Sequence, residues 1–186
     1  MDIPLTWNLA ISGGLALIFG YNFILGQHDT VKLIICTYIS IFAADGIASI
    51  LKQYVLDPSG GVRSLVGSNE VEIFSWIRLV LFLLIIVLFV IKSGFHVRLE
   101  HHRHWLLRGV IHGAFSMISA ILLMTTILVY LAGISVVEGL LYAQELNIYG
   151  NSNVARILID YMSVWFTLPA VAFLVTSFVF EKGLED

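Results

Sequence analysis

The stretch Lys92–Arg108, KSGFHVRLEHHRHWLLR, separates two long apolar runs and holds the densest basic cluster of the chain. It carries Lys92, Arg98, Arg103 and Arg108, interleaved with His96, His101, His102 and His104. Short loops rich in Lys and Arg stay on the cytoplasmic side of a membrane, and a few such residues orient a whole polytopic chain. With this loop placed inside, the direction of every apolar run on either side of it follows.

Those runs dominate the composition. Of the 186 residues, 59% are hydrophobic and 12% charged, against about 45–50% and about 25% in an ordinary soluble domain. Mean hydropathy is +0.93. Uncharged apolar stretches of eighteen residues or more read as membrane-crossing helices. The net charge of -3 carries little information about partners, because the charges are segregated along the chain. One cysteine, Cys36, lies within an apolar run, so an intramolecular disulfide and a cysteine-built zinc site are both excluded. The opening residues MDIPLT lack the basic start of a signal peptide, so the first run is expected to be retained.

The pattern predicts an all-α, polytopic integral membrane protein with about five transmembrane helices over residues 7–25, 30–51, 71–91, 106–132 and 154–180. Residues 92–105 form the basic cytoplasmic loop. The N-terminus is then outside and the C-terminus cytoplasmic. Gln27-His28-Asp29 makes a very short turn, with Asp29 or Thr30 capping the second helix. Asp57-Pro58-Ser59-Gly60-Gly61 breaks the chain between the second and third spans. The last run is interrupted at Asp160, and Pro169 is expected to kink it.

Small residues recur every fourth position in the first two runs, which puts them on one helical face. Ser12, Ala16 and Gly20 form one stripe; Cys36, Ser40, Ala44 and Ala48 form the other. Faces of this kind let helices approach closely in lipid, so the two stripes are predicted to pack on each other as a tight antiparallel hairpin. Gly109 and Gly113 repeat the spacing in the fourth run, alongside His112 and Ser116. A helix–helix hydrogen bond is the plainer role for His112, a proton relay the sharper one.

Three ionisable residues lie inside apolar runs: Asp45, Arg78 and Asp160. Counted from the span ends at 1.5 Å per residue, they reach a similar depth on the outer side. An arginine in hydrocarbon needs a facing carboxylate. Two readings stand: an ion pair that fixes helix register, or a polar path for an ion or proton.

The histidines of the basic loop invite a metal reading, but His101, His102 and His104 are crowded and only Glu100 is near. Contact of Lys92, Arg98, Arg103 and Arg108 with anionic lipid headgroups is the plainer role. No metal or cofactor is expected. The sequence holds no HExxH, no GxSxG and no glycine-rich phosphate loop, so no enzymatic activity is expected. A short basic cluster between two apolar runs does not suggest nucleic-acid binding.

Two segments resemble the CvpA (colicin V production protein) family. One is Trp7-Asn8-Leu9 followed by FGYNFILGQHDTVK at residues 19–32, where the family has an acidic residue at the start, a glycine-centred turn and basic residues beyond. The other is LLRGVIHGAFSMISAILL at residues 106–123, similar to the family's glycine-spaced entry to a late helix. Asn8 stands where an acidic residue is usual. The resemblance implies a bacterial inner-membrane protein serving envelope homeostasis or export. The partners expected are membrane lipids and further copies or subunits of a membrane complex. The function expected is a non-enzymatic membrane protein that oligomerises through its small-residue faces. A channel or transporter subunit with a polar path at Asp45, Arg78 and Asp160 is the alternative.

Overall fold

The computed structural model describes residues 7–55, 70–92, 105–133, 136 and 152–182. Among these residues the structure is helical throughout. It comprises α1 (Trp7–Leu25), α2 (Gln27–Val55), α3 (Glu70–Lys92), α4 (Trp105–Leu131), α5 (Asn153–Asp160) and α6 (Met162–Lys182). The first four are long and apolar enough to cross a membrane, and α5 with α6 passes the same test as one bent pair. In hydrocarbon every backbone N–H and C=O must be paired within the segment. Uninterrupted helices of this length do that, and they mark an integral membrane protein.

Local sequence sets the helix ends. α1 stops at Gly26, whose φ of 95° lies in the left-handed region that a side chain disfavours. This single residue is the whole connection. Gln27, His28 and Asp29, expected as a turn, instead form the first turn of α2. Thr30 lies inside that helix, its N–H donating to the Gly26 carbonyl at 3.0 Å. Its hydroxyl donates back to the carbonyls of Gly26 (2.9 Å) and Asn22 (3.0 Å), so Thr30 closes the turn without capping the helix. α2 also extends to Val55, one turn beyond the predicted end at residue 51. Gly133, with φ 74°, ends α4 in the same way, its N–H reaching the Tyr130 carbonyl at 3.0 Å.

The contacts fix the directions: α4 runs antiparallel to α1 and α6 and parallel to α2. Gly14 of α1 faces Met124 of α4, and Phe23 of α1 faces His112. Ile41 of α2 lies at Tyr130, while Val31 and Ile34 cluster with Phe115 and Leu122. Phe115 of α4 meets Phe173 of α6. α4 packs against every other described helix and is the axis of the bundle. The Gly26 turn, the end of α3 and the start of α4 therefore share one end of the molecule. Asn8, Tyr130 and Ser152 lie at the other.

The last predicted span is broken where the sequence interrupts it, next to Asp160: two helices meet at Tyr161 with axes 62° apart. The break falls just after Asp160, where the Tyr161 N–H turns back to the Ile157 carbonyl. α6 runs without interruption through Pro169. A proline deprives the preceding turn of a donor. Here the Tyr38 hydroxyl of α2 donates to the Phe166 carbonyl, one turn before the proline. The carbonyl that loses its donor to the proline is that of Trp165, so the Tyr38 bond to the next carbonyl ties α2 to α6 beside the proline without replacing the lost bond.

α5 is a short amphipathic element across the end of the bundle. Ala155, Leu158 and Ile159 are buried against Ile11 of α1 and Leu128, Val129 and Ala132 of α4. Arg156, Ile157 and Asp160 face out. Ser152 caps it: the hydroxyl accepts the Ala155 N–H at 3.1 Å and donates to Asn8 Oδ1 at 2.7 Å, tying α5 to the start of α1.

Candidate functional site

Two of the three intramembrane charges meet. Arg78 of α3 places Nε 3.6 Å from Oδ1 of Asp45 on α2, with the two side chains 7% and 3% exposed. At that separation the contact is Coulombic rather than a hydrogen bond. Deep burial makes it strong but leaves a desolvation cost that the attraction must offset. α2 and α3 have the most extensive contact in the bundle, and Asp45 and Arg78 lie on its two sides. Ala44, Leu79, Phe82 and Ile41 form the apolar cluster around them.

A third group joins the pair from α4. Tyr130 is fully buried, its hydroxyl donates to the Ile41 carbonyl at 3.3 Å, and it lies close enough to Asp45 and Arg78 to feel their charges. Phe82 closes over it edge-on, ring centroids 5.7 Å apart. One carboxylate, one guanidinium and one phenol thus join α2, α3 and α4 at a single level. Such a set can hold three helices in one register.

Asp160, the third residue predicted for this cluster, is exposed at the end of α5. That helix packs on α1, α4 and α6. The break at Tyr161 carries Asp160 over the end of the bundle instead of down its interior. Tyr130 was not foreseen, because a tyrosine near a span end is usually an interfacial anchor. Its sequence signal is position: one residue before the end of α4, it is level with Asp45 once the helices are aligned.

The small-residue stripes divide. Ser40, Ala44 and Ala48 are buried, as is Cys36. Cys36 and Ala44 pack with Leu79, Phe82 and Ile86 of α3. On α1, Ser12 and Ala16 are exposed and a Cβ added at Gly20 would meet nothing within 4 Å. The two stripes therefore do not meet within one chain. α1 packs on α4 through another face, where a Cβ at Gly14 would lie 3.3 Å from Met124 Cε. Gly109 is exposed, Gly113 half-buried, and both have open space at the Cβ position. His112 reaches α1: Nε2 donates to the Phe23 carbonyl at 2.9 Å and the ring stacks on Phe23 at 5.0 Å.

Of the basic loop, Lys92 is exposed at the end of α3. Arg98, Arg103 and the four loop histidines, at 96, 101, 102 and 104, lie outside the described residues, as does the side chain of Arg108. Among the described residues no group of three His, Cys, Asp or Glu side chains is placed to hold a metal ion.

Two grooves mark the bundle surface. One, of about 600 Å³, lies between α1 and α3 and includes Asn22, Asp29 and Lys32. The other, of about 290 Å³, lies between α4 and α6 and is lined almost wholly by aliphatic side chains. Neither is lined by Asp45, Arg78 or Tyr130. Comparison of the chain with protein-family models, with curated proteins and with solved structures gives no match.

Proposed function

We propose that this chain is a non-enzymatic subunit of a membrane assembly that associates through the outward face of α1. The observation that carries the reading is that face itself. Ser12 and Ala16 are exposed, and Gly13 and Gly20 have open space where a side chain would stand. Helices associate in lipid by close packing of such small residues, since apolar surface alone gives no preference for protein over lipid. The buried Asp45–Arg78 pair supports the same reading, because an ion pair between α2 and α3 stiffens the bundle that presents α1. In this reading Lys92–Arg108 faces the cytoplasm and anionic headgroups, the N-terminus is external, and the C-terminus is cytoplasmic. The resemblance to the CvpA family points to the inner membrane of a bacterium and to envelope or secretion functions.

The test is the assembly state in lipid. Photobleaching steps of the labelled full chain in nanodiscs or liposomes should report more than one copy. Ala16→Leu and Gly20→Leu should shift the population to single copies while helical content stays unchanged. A monomeric wild-type chain at all protein-to-lipid ratios overturns the reading. The second reading, a conducting path, rests on the buried Asp45–Arg78 pair. It requires ion or proton flux in liposomes that Asp45→Asn abolishes.

A further inference from the structure

The groove between α1 and α3 differs from an ordinary lipid-facing furrow in being polar at one end only. α1 and α3 each pack on α2 and α4, so the space between them has walls from the outer helices and a floor from the inner ones. Leu17 and Tyr21 of α1 face Val87 and Ile91 of α3, over Leu33 and Leu123. The volume, about 600 Å³, falls within the roughly 300–1,000 Å³ usual for small-molecule sites.

The polar end is made of Asn22, Asp29 and Lys32. Asn22 lines the groove with its side chain fully buried, and neither its Nδ2 nor its Oδ1 has a hydrogen-bond partner among the described residues. A buried carboxamide without a partner is destabilising, and a ligand carbonyl or hydroxyl would offset that. Asp29 and Lys32 stand three residues apart on α2, hence on one helical face. They offer a carboxylate and an ammonium at the end of the bundle where the Gly26 turn lies. From there the apolar walls run inward along the bundle axis, from Ile91 to Val87 on one side and from Tyr21 to Leu17 on the other. Charge at the membrane surface and hydrocarbon below it is the profile of a phospholipid.

We infer that this groove holds one acyl chain of a zwitterionic phospholipid bearing a primary ammonium, a phosphatidylethanolamine. Its phosphate lies at Lys32, its ammonium donates to Asp29, and an ester carbonyl accepts from the Asn22 amide. The aliphatic groove between α4 and α6 has no such polar end and takes lipid chains without regard to headgroup.

Native mass spectrometry of the full chain, released from nanodiscs, tests this assignment. The nanodiscs contain equal amounts of phosphatidylethanolamine, phosphatidylglycerol and phosphatidylcholine with identical acyl chains. Phosphatidylethanolamine should be retained roughly fivefold over the other two, the ratio given by about 1 kcal/mol from one charge contact near the surface. The Asp29→Asn/Lys32→Gln double variant should bring the three headgroups level. Val87→Trp, a change at an outward-facing position, should reduce retention of all three, and Val171→Trp in the second groove should leave the preference intact. Circular dichroism confirms the fold of each variant. Equal retention of the three lipids by the wild-type chain overturns the proposal. So does a preference that survives Val87→Trp. A change in copy number with Val87→Trp, without loss of bound lipid, would assign the groove to a second copy instead.

Discussion

Arg78 keeps its charge at any pH a cell reaches, whereas Asp45 can shed its charge by taking up a proton. The two are buried together, so their single substitutions are not equivalent. Asp45→Leu strands a permanent cation among Phe82, Leu79 and Tyr130 and should cost about 3–5 kcal/mol, as breaking one side of a buried pair does. Arg78→Leu leaves a carboxyl that can become neutral beside Tyr130, and should cost about 1–3 kcal/mol. The Asp45→Leu/Arg78→Leu double variant should recover most of the larger loss. Thermal unfolding in detergent, arranged as a double-mutant cycle, measures the coupling. Additive losses would mean that the pair contributes nothing to register. Asp160 does not replace Asp45 in this scheme, because it stands exposed at the end of α5.

α1 uses two faces for two purposes, and glycines on each face separate them. A Cβ at Gly14 would meet only the flexible end of Met124, at 3.3 Å. Gly14→Ala should therefore be close to neutral, since alanine gains up to about 1 kcal/mol over glycine in a helix. Gly14→Leu should force α1 away from α4 and lower the unfolding temperature. Gly20→Leu enters open space and should leave stability unchanged, so any effect it has is on association alone. Equal destabilisation by Gly14→Leu and Gly20→Leu would show that the faces are reversed. α5 depends on Ser152, which both caps the helix and bonds Asn8. Ser152→Ala should cost about 1 kcal/mol and raise amide exchange across residues 153–160 before it affects α4. Uniform exchange along the bundle would mean that α5 does not open separately.

The whole molecule is a bundle around α4, and the Lys and Arg bias predicts how it is oriented in the membrane. A reporter fused after Arg103 should behave as an inside fusion, and one at Gly60 as an outside fusion, as the Lys and Arg bias requires. The reverse pattern would invert every span. The Gly26 turn and the two chain segments flanking the basic loop share one end of the bundle, so one fusion result orients them together.

The apolar runs by themselves determined that this protein is helical and membrane-embedded, because only segments that pair all their own backbone groups persist in hydrocarbon. They also placed α1, α3 and α4 to within a residue or two. The depth of Asp45 and Arg78 was legible too, since position along a helix follows from residue count. Which faces meet was not legible. In lipid an outward small-residue stripe and an inward one have the same sequence, so Ser12 and Ala16 could not be told from Ser40 and Ala44. Only the packed structure decided that α2's stripe is buried, with Cys36 and Ala44 against α3, while that of α1 is left open. It also decided that Tyr130 stands beside the Asp45–Arg78 pair and that Tyr38 bonds to α6 near Pro169. In each case the reason is the same: a contact between residues far apart in the chain depends on how helices rotate against one another, and no local spacing encodes that rotation.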